Sequence, residues 1–209
     1  VCVSIQGLVS VIARYYYAGL SFGDILKNIT VRDVIRWDTI FQQKRKFEKR
    51  GELEKEYLKI VPHIIGRTSW DKAHIWAINP DAEYHFCNET LRPVFSQRKW
   101  EYYKCDKHTI FLSQAGYPIK GLHKVLEAMP LVLRHFPDAR LRVAGQSIVD
   151  KPFYRMSGYG KYIQSLINKL SLNDKITFLG TLSEEEMCEQ YLRTNVFICP
   201  SSIENSPNS

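Results

Sequence analysis

A chain of 209 residues with 44% apolar and 24% charged side chains has ordinary globular composition. That balance excludes disorder and leaves enough apolar material for one or two cores. The net charge of +7 admits nucleic acid, an anionic membrane face or phosphorylated substrates as partners and does not choose among them. The cysteines, Cys2, Cys87, Cys105, Cys188 and Cys199, are odd in number, with no C-x-x-C pair and no His at metal-ligand spacing. This points to reduced thiols in a cytoplasmic setting and to no metal.

The chain opens on VCVSIQGLVSVIARYYYAGL. Gln6 and Arg14 interrupt this stretch before it reaches the roughly 20 apolar residues a spanning helix needs, so no transmembrane helix is expected. It has no initiator Met, basic leader or small-residue cleavage site, which argues against a signal peptide, and Val1 reads as a cut end. Val1 to Leu8 carries a buried-strand pattern with Gln6 and Gly7 at its end. Gln42 to Lys59 reads as a charged helix, to which Ile40, Phe47, Tyr57 and Leu58 offer apolar contact. Within it KRKFEKR is almost wholly cationic. It is either a solvated face or, across residues 42–50, a contact for anionic lipid headgroups.

IIGRTS (Ile64 to Ser69) predicts a strand and turn that leave Arg67 where a cation could meet a phosphate. WDKAHIWAIN is the following helix, YHFCN the next strand, and Asn88 and Glu89 lead into a linker. The histidines His63, His74, His85, His108, His123 and His135 are scattered singly and read as core or surface residues.

From His108 the pattern becomes regular. HTIFLS (His108 to Ser113) is a short strand. Leu122, Val125, Leu126, Met129, Leu133 and Phe136 recur at helical spacing, with Pro130 inside the helix and Pro137 and Asp138 closing it. ARLRVAG is a strand ending at Gly145, and after a long loop Tyr162, Ile163, Leu166, Ile167 and Leu170 define a second helix. KITFLG is a strand ending at Gly180. Ser183 with Glu186 forms a capping box that opens SEEEMCEQYLRT, and NVFICPS is the last strand. Strands joined by single helices run parallel, and right-handed crossovers give an α/β, doubly wound sheet with ligands beyond the strands' carboxyl ends.

Those ends carry SQAGYPIKG, AGQS, LGTL and PSSIENSPNS. Lys120 precedes Gly121 at the start of a helix, so a cation and free backbone N–H groups converge where a helix N-terminus already favours a diphosphate. Glu204 follows the last strand, where a carboxylate can accept hydrogen bonds from sugar hydroxyls.

In this order, IKGLHKVLEAM, FPDARLRVAG, ITFLG and PSSIE resemble the donor half of the GT-B glycosyltransferases of family 4. The resemblance implies two Rossmann-like domains, both cut. Residues 1–99 would be the C-terminal part of the acceptor-side domain plus a linker. Residues 100–209 would be the N-terminal part of the nucleotide-sugar domain, truncated before its end. A second Glu of the closing motif would fall beyond Ser209, and the fragment by itself is expected to be inactive. The phosphate-binding Arg of the family falls at Ala115, and the glycine of its closing loop is replaced around Pro207 and Asn208.

Carried over residue by residue, the resemblance makes Lys120 and Glu204 the catalytic pair. It places donor binding at Ala115, Gly116, Lys120, Gly121, Gly145, Gln146, Gly180, Thr181, Leu182, Ser201, Glu204, Asn208 and Ser209. Gln6, Gly7 and Arg67 would face the acceptor, Gln6 standing near the family's His. The activity implied is retaining transfer from a UDP- or GDP-sugar to a glycan or lipid-linked acceptor, with no cofactor and no metal. Bacterial capsular or cell-surface polysaccharide synthesis follows, in the cytoplasm or peripheral to the inner face of the plasma membrane. Two alternatives share the architecture: a sugar-nucleotide epimerase, and a non-catalytic nucleotide- or glycan-binding relative. The β-α turns lack G-x-G-x-x-G, which disfavours a dinucleotide-dependent oxidoreductase. The charge is spread over both halves with no reading motif, which disfavours nucleic acid.

Overall fold

The computed structural model describes residues 1–149 and 151–205. In chain order the elements are β1 (Cys2–Ser4), α1 (Val9–Ile12), α2 (Phe22–Lys27), α3 (Val31–Ile35), α4 (Ile40–Ile60), β2 (His63–Gly66), α5 (Ser69–Ile78) and β3 (Glu83–Phe86). They continue with β4 (Asp106–Leu112), α6 (Leu122–His135), β5 (Arg140–Ala144), α7 (Gly158–Lys169), β6 (Ile176–Gly180), α8 (Glu184–Arg193) and β7 (Thr194–Phe197). Among the described residues no helix is long and apolar enough to cross a membrane.

The chain divides into two compact units. The first holds Val1–Tyr16, Phe41–Leu91 and the segment that begins at Ile203; the second holds Tyr17–Ile40 and Arg92–Ser202.

In the first unit β1, β2 and β3 form an all-parallel sheet in that order. At the N-terminus, where a buried strand was expected, a strand forms over Cys2–Ser4, but Cys2 and Ser4 are exposed and Val3 is half-buried. Leu8, fully buried, instead stands before α1, and its backbone leads into that helix with no side-chain cap of its own. Glu54 of α4 takes over the capping: its carboxylate accepts the Val9 and Ser10 N–H groups at 3.0 and 2.9 Å. An anion there satisfies donors that the first helical turn cannot. Ile5, Leu8, Val11, Leu58, Val61, Ile64, Ile75 and Ala82 make the core, with Ile203 packed against it. The charged helix expected over Gln42 to Lys59 is α4. It buries Ile40 and Leu58, while Tyr57 stays exposed.

In the second unit the sheet order is β6-β5-β4-β7, again all parallel. The chain steps outward from β4 through β5 to β6, then returns through α8 to place β7 on the other side of β4. This is the doubly wound plan expected from the regular strand–helix alternation. The helix α6 buries Leu122, Val125, Leu126 and Met129 and runs through Pro130. The expected capping box at Ser183 and Glu186 opens α8.

Tyr17–Ile40 joins this second unit through polar contacts that composition does not announce. Asp33 closes a capping box with Thr30 at the start of α3, and its carboxylate also accepts the Gly158 N–H at 2.7 Å. Thr30 Oγ1 donates to the Met156 carbonyl at 3.1 Å. His123, fully buried on α6, has Nε2 2.9 Å from the Ala18 carbonyl. Burial holds the His123 pKa below the ordinary imidazole value, so the ring is neutral and its Nε2 carries the proton that this carbonyl accepts.

Candidate functional site

The carboxyl ends of the second unit's strands meet at the point where the sheet order reverses, between β4 and β7. In open α/β sheets this is where ligands bind. The loop after β4 passes a buried Ser113 and a buried Ala115, exposes Gly116, and makes a 3-10 turn over Pro118–Lys120. Gly121 then enters α6 with φ 76° and ψ 15°. This left-handed conformation suits glycine, and the space demands it too: a Cβ on Gly121 would run into the Pro200 carbonyl. The Ser202 N–H donates to the Ile119 carbonyl at 2.9 Å. The loops after β4 and β7 are thus joined backbone to backbone.

Lys120 is half-buried in this junction, two residues before a helix of 14 residues whose N-terminus has no side-chain cap. A cation beside unscreened helix N–H groups suits a phosphate. Ala115 fills its place as a small buried residue, 5% exposed. The β4 loop therefore packs an apolar side chain at the position where the resemblance led to the expectation of a cation.

The neighbouring strand ends continue the edge. The Gly145 N–H donates to the Gly180 carbonyl at 2.8 Å. Gln146, Thr181 and Leu182 follow these glycines as half-buried or exposed residues, and Ser201 is half-buried after β7. The structure therefore places Ala115, Gly116, Lys120, Gly121, Gly145, Gln146, Gly180, Thr181, Leu182 and Ser201 in the second unit, Gly180 at the end of β6 and the others on the loops that follow its strands. Glu204, exposed, belongs to the segment of the first unit that starts at Ile203. Asn208 and Ser209 lie outside the described residues.

The carboxyl edge of the first unit's sheet is built differently, from paired side chains. Arg67, 6% exposed, forms an ion pair with Glu89, and Glu89 also accepts from Gln6 Nε2 at 2.9 Å. Gly7 follows Gln6 in the same turn, half-buried. Gln6 and Arg67 are thus brought together through Glu89, a residue the sequence placed only in a linker. The guanidinium expected to face a phosphate is here neutralised within the unit.

Beside them lies a second network centred on Asp71, which is fully buried. Its carboxylate accepts the Arg67 N–H at 2.9 Å, the Thr68 N–H at 3.3 Å, the Asn205 Nδ2 at 2.7 Å and the Tyr84 hydroxyl. Thr68 Oγ1 donates to Asn205 Oδ1 at 2.6 Å. Burial alone would raise the Asp71 pKa, but the Tyr84, Arg67, Asn205 and Thr68 hydrogen bonds outweigh it and hold the carboxyl below the usual range. Burial, then the hydrogen bond to Asp71, pushes the Tyr84 phenol up. Sequence reasoning passed over Asp71, although T-x-x-D at Thr68–Asp71 is a helix-start signal and both halves of that capping box form.

The single histidines also regroup. His63, Glu83 and His85 have ligand atoms within 4.8 Å of one another, a grouping capable of holding a metal.

Residues 96–208 match the family described as glycosyl transferases group 1. No curated protein sequence matches the chain significantly. Among solved structures the fold is similar to the sucrose-phosphate synthase of Thermosynechococcus elongatus, with a TM-score of 0.60 at 15% identity over 99% of this chain and 45% of that one. It is also similar to TarM, with a TM-score of 0.55 at 13% identity over 73% of this chain and 28% of that one. The chain therefore spans less than half the length of either protein. These likenesses, with the two parallel sheets, show the GT-B fold.

Proposed function

We propose, from the premise that this chain belongs to the group 1 glycosyltransferase family, that it is part of an enzyme moving a sugar from a nucleotide donor to an acceptor. The Lys120–Gly121 step carries this reading: a cation and a helix N-terminus are held against the loop that follows β7. In the proposed mechanism the diphosphate lies on the α6 N-terminus. Lys120 and the loop amides stabilise charge that develops on the departing nucleoside diphosphate, and they are fixed in place before the reaction begins. Glu204 would hold sugar hydroxyls.

The donor is a UDP- or GDP-sugar and the acceptor a glycan or lipid-linked saccharide. The reaction is retaining, as in family 4, and needs neither metal nor cofactor. The setting is polysaccharide synthesis in a bacterial cytoplasm. With Ala115 in place of a cation, phosphate binding rests more heavily on Lys120 than in a site with two cations.

In the full-length protein, Lys120→Ala should lower kcat/KM for sugar transfer at least about tenfold, which requires losing only about 1.4 kcal/mol of transition-state stabilisation. A Lys120→Ala enzyme with full turnover would sink the assignment.

Lipid-linked acceptors would draw the enzyme to an anionic surface, and α4 supports such a contact. Arg45, Lys46, Lys49 and Arg50 are all exposed on it. Arg14, Lys55 and Lys59 line a cavity of about 360 Å³ in the same unit. Each cation near an anionic membrane contributes about 1 kcal/mol, an attraction that salt screens. Vesicles rich in phosphatidylserine should therefore bind the protein at low salt and release it at high salt. Charge-reversing Lys46 and Lys49 should abolish that binding, and indifference of the unmodified protein to such vesicles would end the membrane reading.

A further inference from the structure

The first unit carries a second chemical grouping, at the opposite edge of its sheet from Gln6 and Arg67. Strands β2 and β3 are parallel, and their register sets His63 against Glu83 and Ile65 against His85. Residues two apart on a strand share a face, and so do register partners on adjacent parallel strands. His63, Glu83 and His85 therefore project from one face at the amino-terminal edge, and all three remain open to solvent.

Their spacing is the informative quantity. His63 Nδ1 lies 3.2 Å from His85 Nε2. The same Nδ1 is 3.3 Å from one Glu83 carboxylate oxygen, and His85 Nε2 is 3.8 Å from the other. Around a tetrahedral ion with metal–nitrogen distances of about 2.0–2.1 Å and similar metal–oxygen distances, neighbouring ligand atoms sit about 3.3 Å apart. The two imidazole nitrogens already stand at that spacing, and the Glu83 carboxylate reaches both, one oxygen to each, with the ligand atoms within 4.8 Å of one another.

We infer that His63, Glu83 and His85 form a binding site for a divalent transition metal of the zinc class, with water in the fourth position. Two imidazoles and one carboxylate suit Zn²⁺, Co²⁺ or Ni²⁺; an all-oxygen set would be needed to favour Ca²⁺ or Mg²⁺. His63 binds through Nδ1 and His85 through Nε2, so each ring keeps its proton on the other nitrogen. The ion ties the starts of β2 and β3 together. The inference stands apart from sugar transfer, since no donor-loop residue takes part.

The test titrates Co²⁺ alone into the intact, chelator-treated chain, followed by displacement with Zn²⁺. One equivalent should bind with the visible bands of four-coordinate cobalt and without a thiolate-to-cobalt band, and Zn²⁺ should raise the thermal midpoint. His63→Ala and His85→Ala should each weaken binding at least tenfold, and Glu83→Gln several-fold. Because these side chains reach solvent, the metal-free midpoint of each variant should match that of the unsubstituted protein. Absence of uptake overturns the site, as does undiminished affinity in the two His variants. Cys2 is the register partner of His63 on β1. A thiolate band that disappears in Cys2→Ser would overturn the proposed donor set.

Discussion

The two sheets end in contrasting ways, although both are parallel and both face a loop edge of the kind where α/β proteins place ligands. At the second unit's edge the chain is shaped by backbone: Gly121 against Pro200, Gly145 hydrogen-bonded to Gly180, and Lys120 as the cation beside a helix N-terminus. At the first unit's edge the shaping is done by side chains that satisfy one another, Arg67 with Glu89 and Asp71 with Tyr84 and Asn205. An edge that ends on a helix N-terminus with no side-chain cap offers first-turn N–H groups to a phosphate. An edge of paired charges fixes loop positions and gives up a charge only when another replaces it.

Substitutions can break this contrast. Gly121→Ala should have the largest effect, about 3 kcal/mol or more in denaturant unfolding of the second unit. It combines about 1–2 kcal/mol for a left-handed non-glycine residue with displacement of the Pro200 backbone. If Gly121→Ala proves as stable as the parent, the backbone junction is not what holds this edge.

Asp71→Ala should come next, at about 2–3 kcal/mol in the first unit, because it strands the Arg67 and Thr68 N–H groups without their acceptor. Its pH signature has a fixed sign. A carboxyl held below its ordinary pKa of 3.8 contributes fully above that value and loses its contribution as the pH falls through the lower folded-state value. Acid unfolding of the parent should therefore steepen below about pH 3.8, and Asp71→Ala should lack that component.

Gly180→Ala supplies the smallest effect and the control. Gly180 has φ 74°, but its Cβ would enter open space, so only the same conformational cost of about 1–2 kcal/mol remains. Equal losses in Gly121→Ala and Gly180→Ala would show that conformation alone, and not the meeting with Pro200, governs the edge.

The same contrast explains what could be read from the chain. The second unit was legible because its strands and helices alternate at short intervals and its candidate site residues lie at strand ends or on the loops after them. Position along the chain is nearly position in the site, as Lys120 and Gly121 show. The first unit's edge depends on pairs distant in sequence, such as Gln6 with Glu89 and Thr68 with Asn205. No local periodicity encodes them.

Tyr17–Ile40 was similarly opaque. Its short helices, α2 and α3, carry local caps that S-x-x-D and T-x-x-D signal, but the contacts of Asp33 with Gly158 and of Ala18 with His123 join it to residues far along the chain. The histidines looked solitary because cross-strand register, which places His63 beside Glu83, is fixed only when β2 and β3 pair.

The meeting of Gly121 with Pro200 also sets an order in time. A chain growing from its amino terminus makes β4, the following loop and α6 long before Pro200 exists. The nascent loop can adopt left-handed geometry at Gly121, but nothing rests against it until β7 slots in beside β4 and carries Pro200 into place. The loop proposed to face a phosphate is therefore among the last parts of the second unit to take its final shape during synthesis.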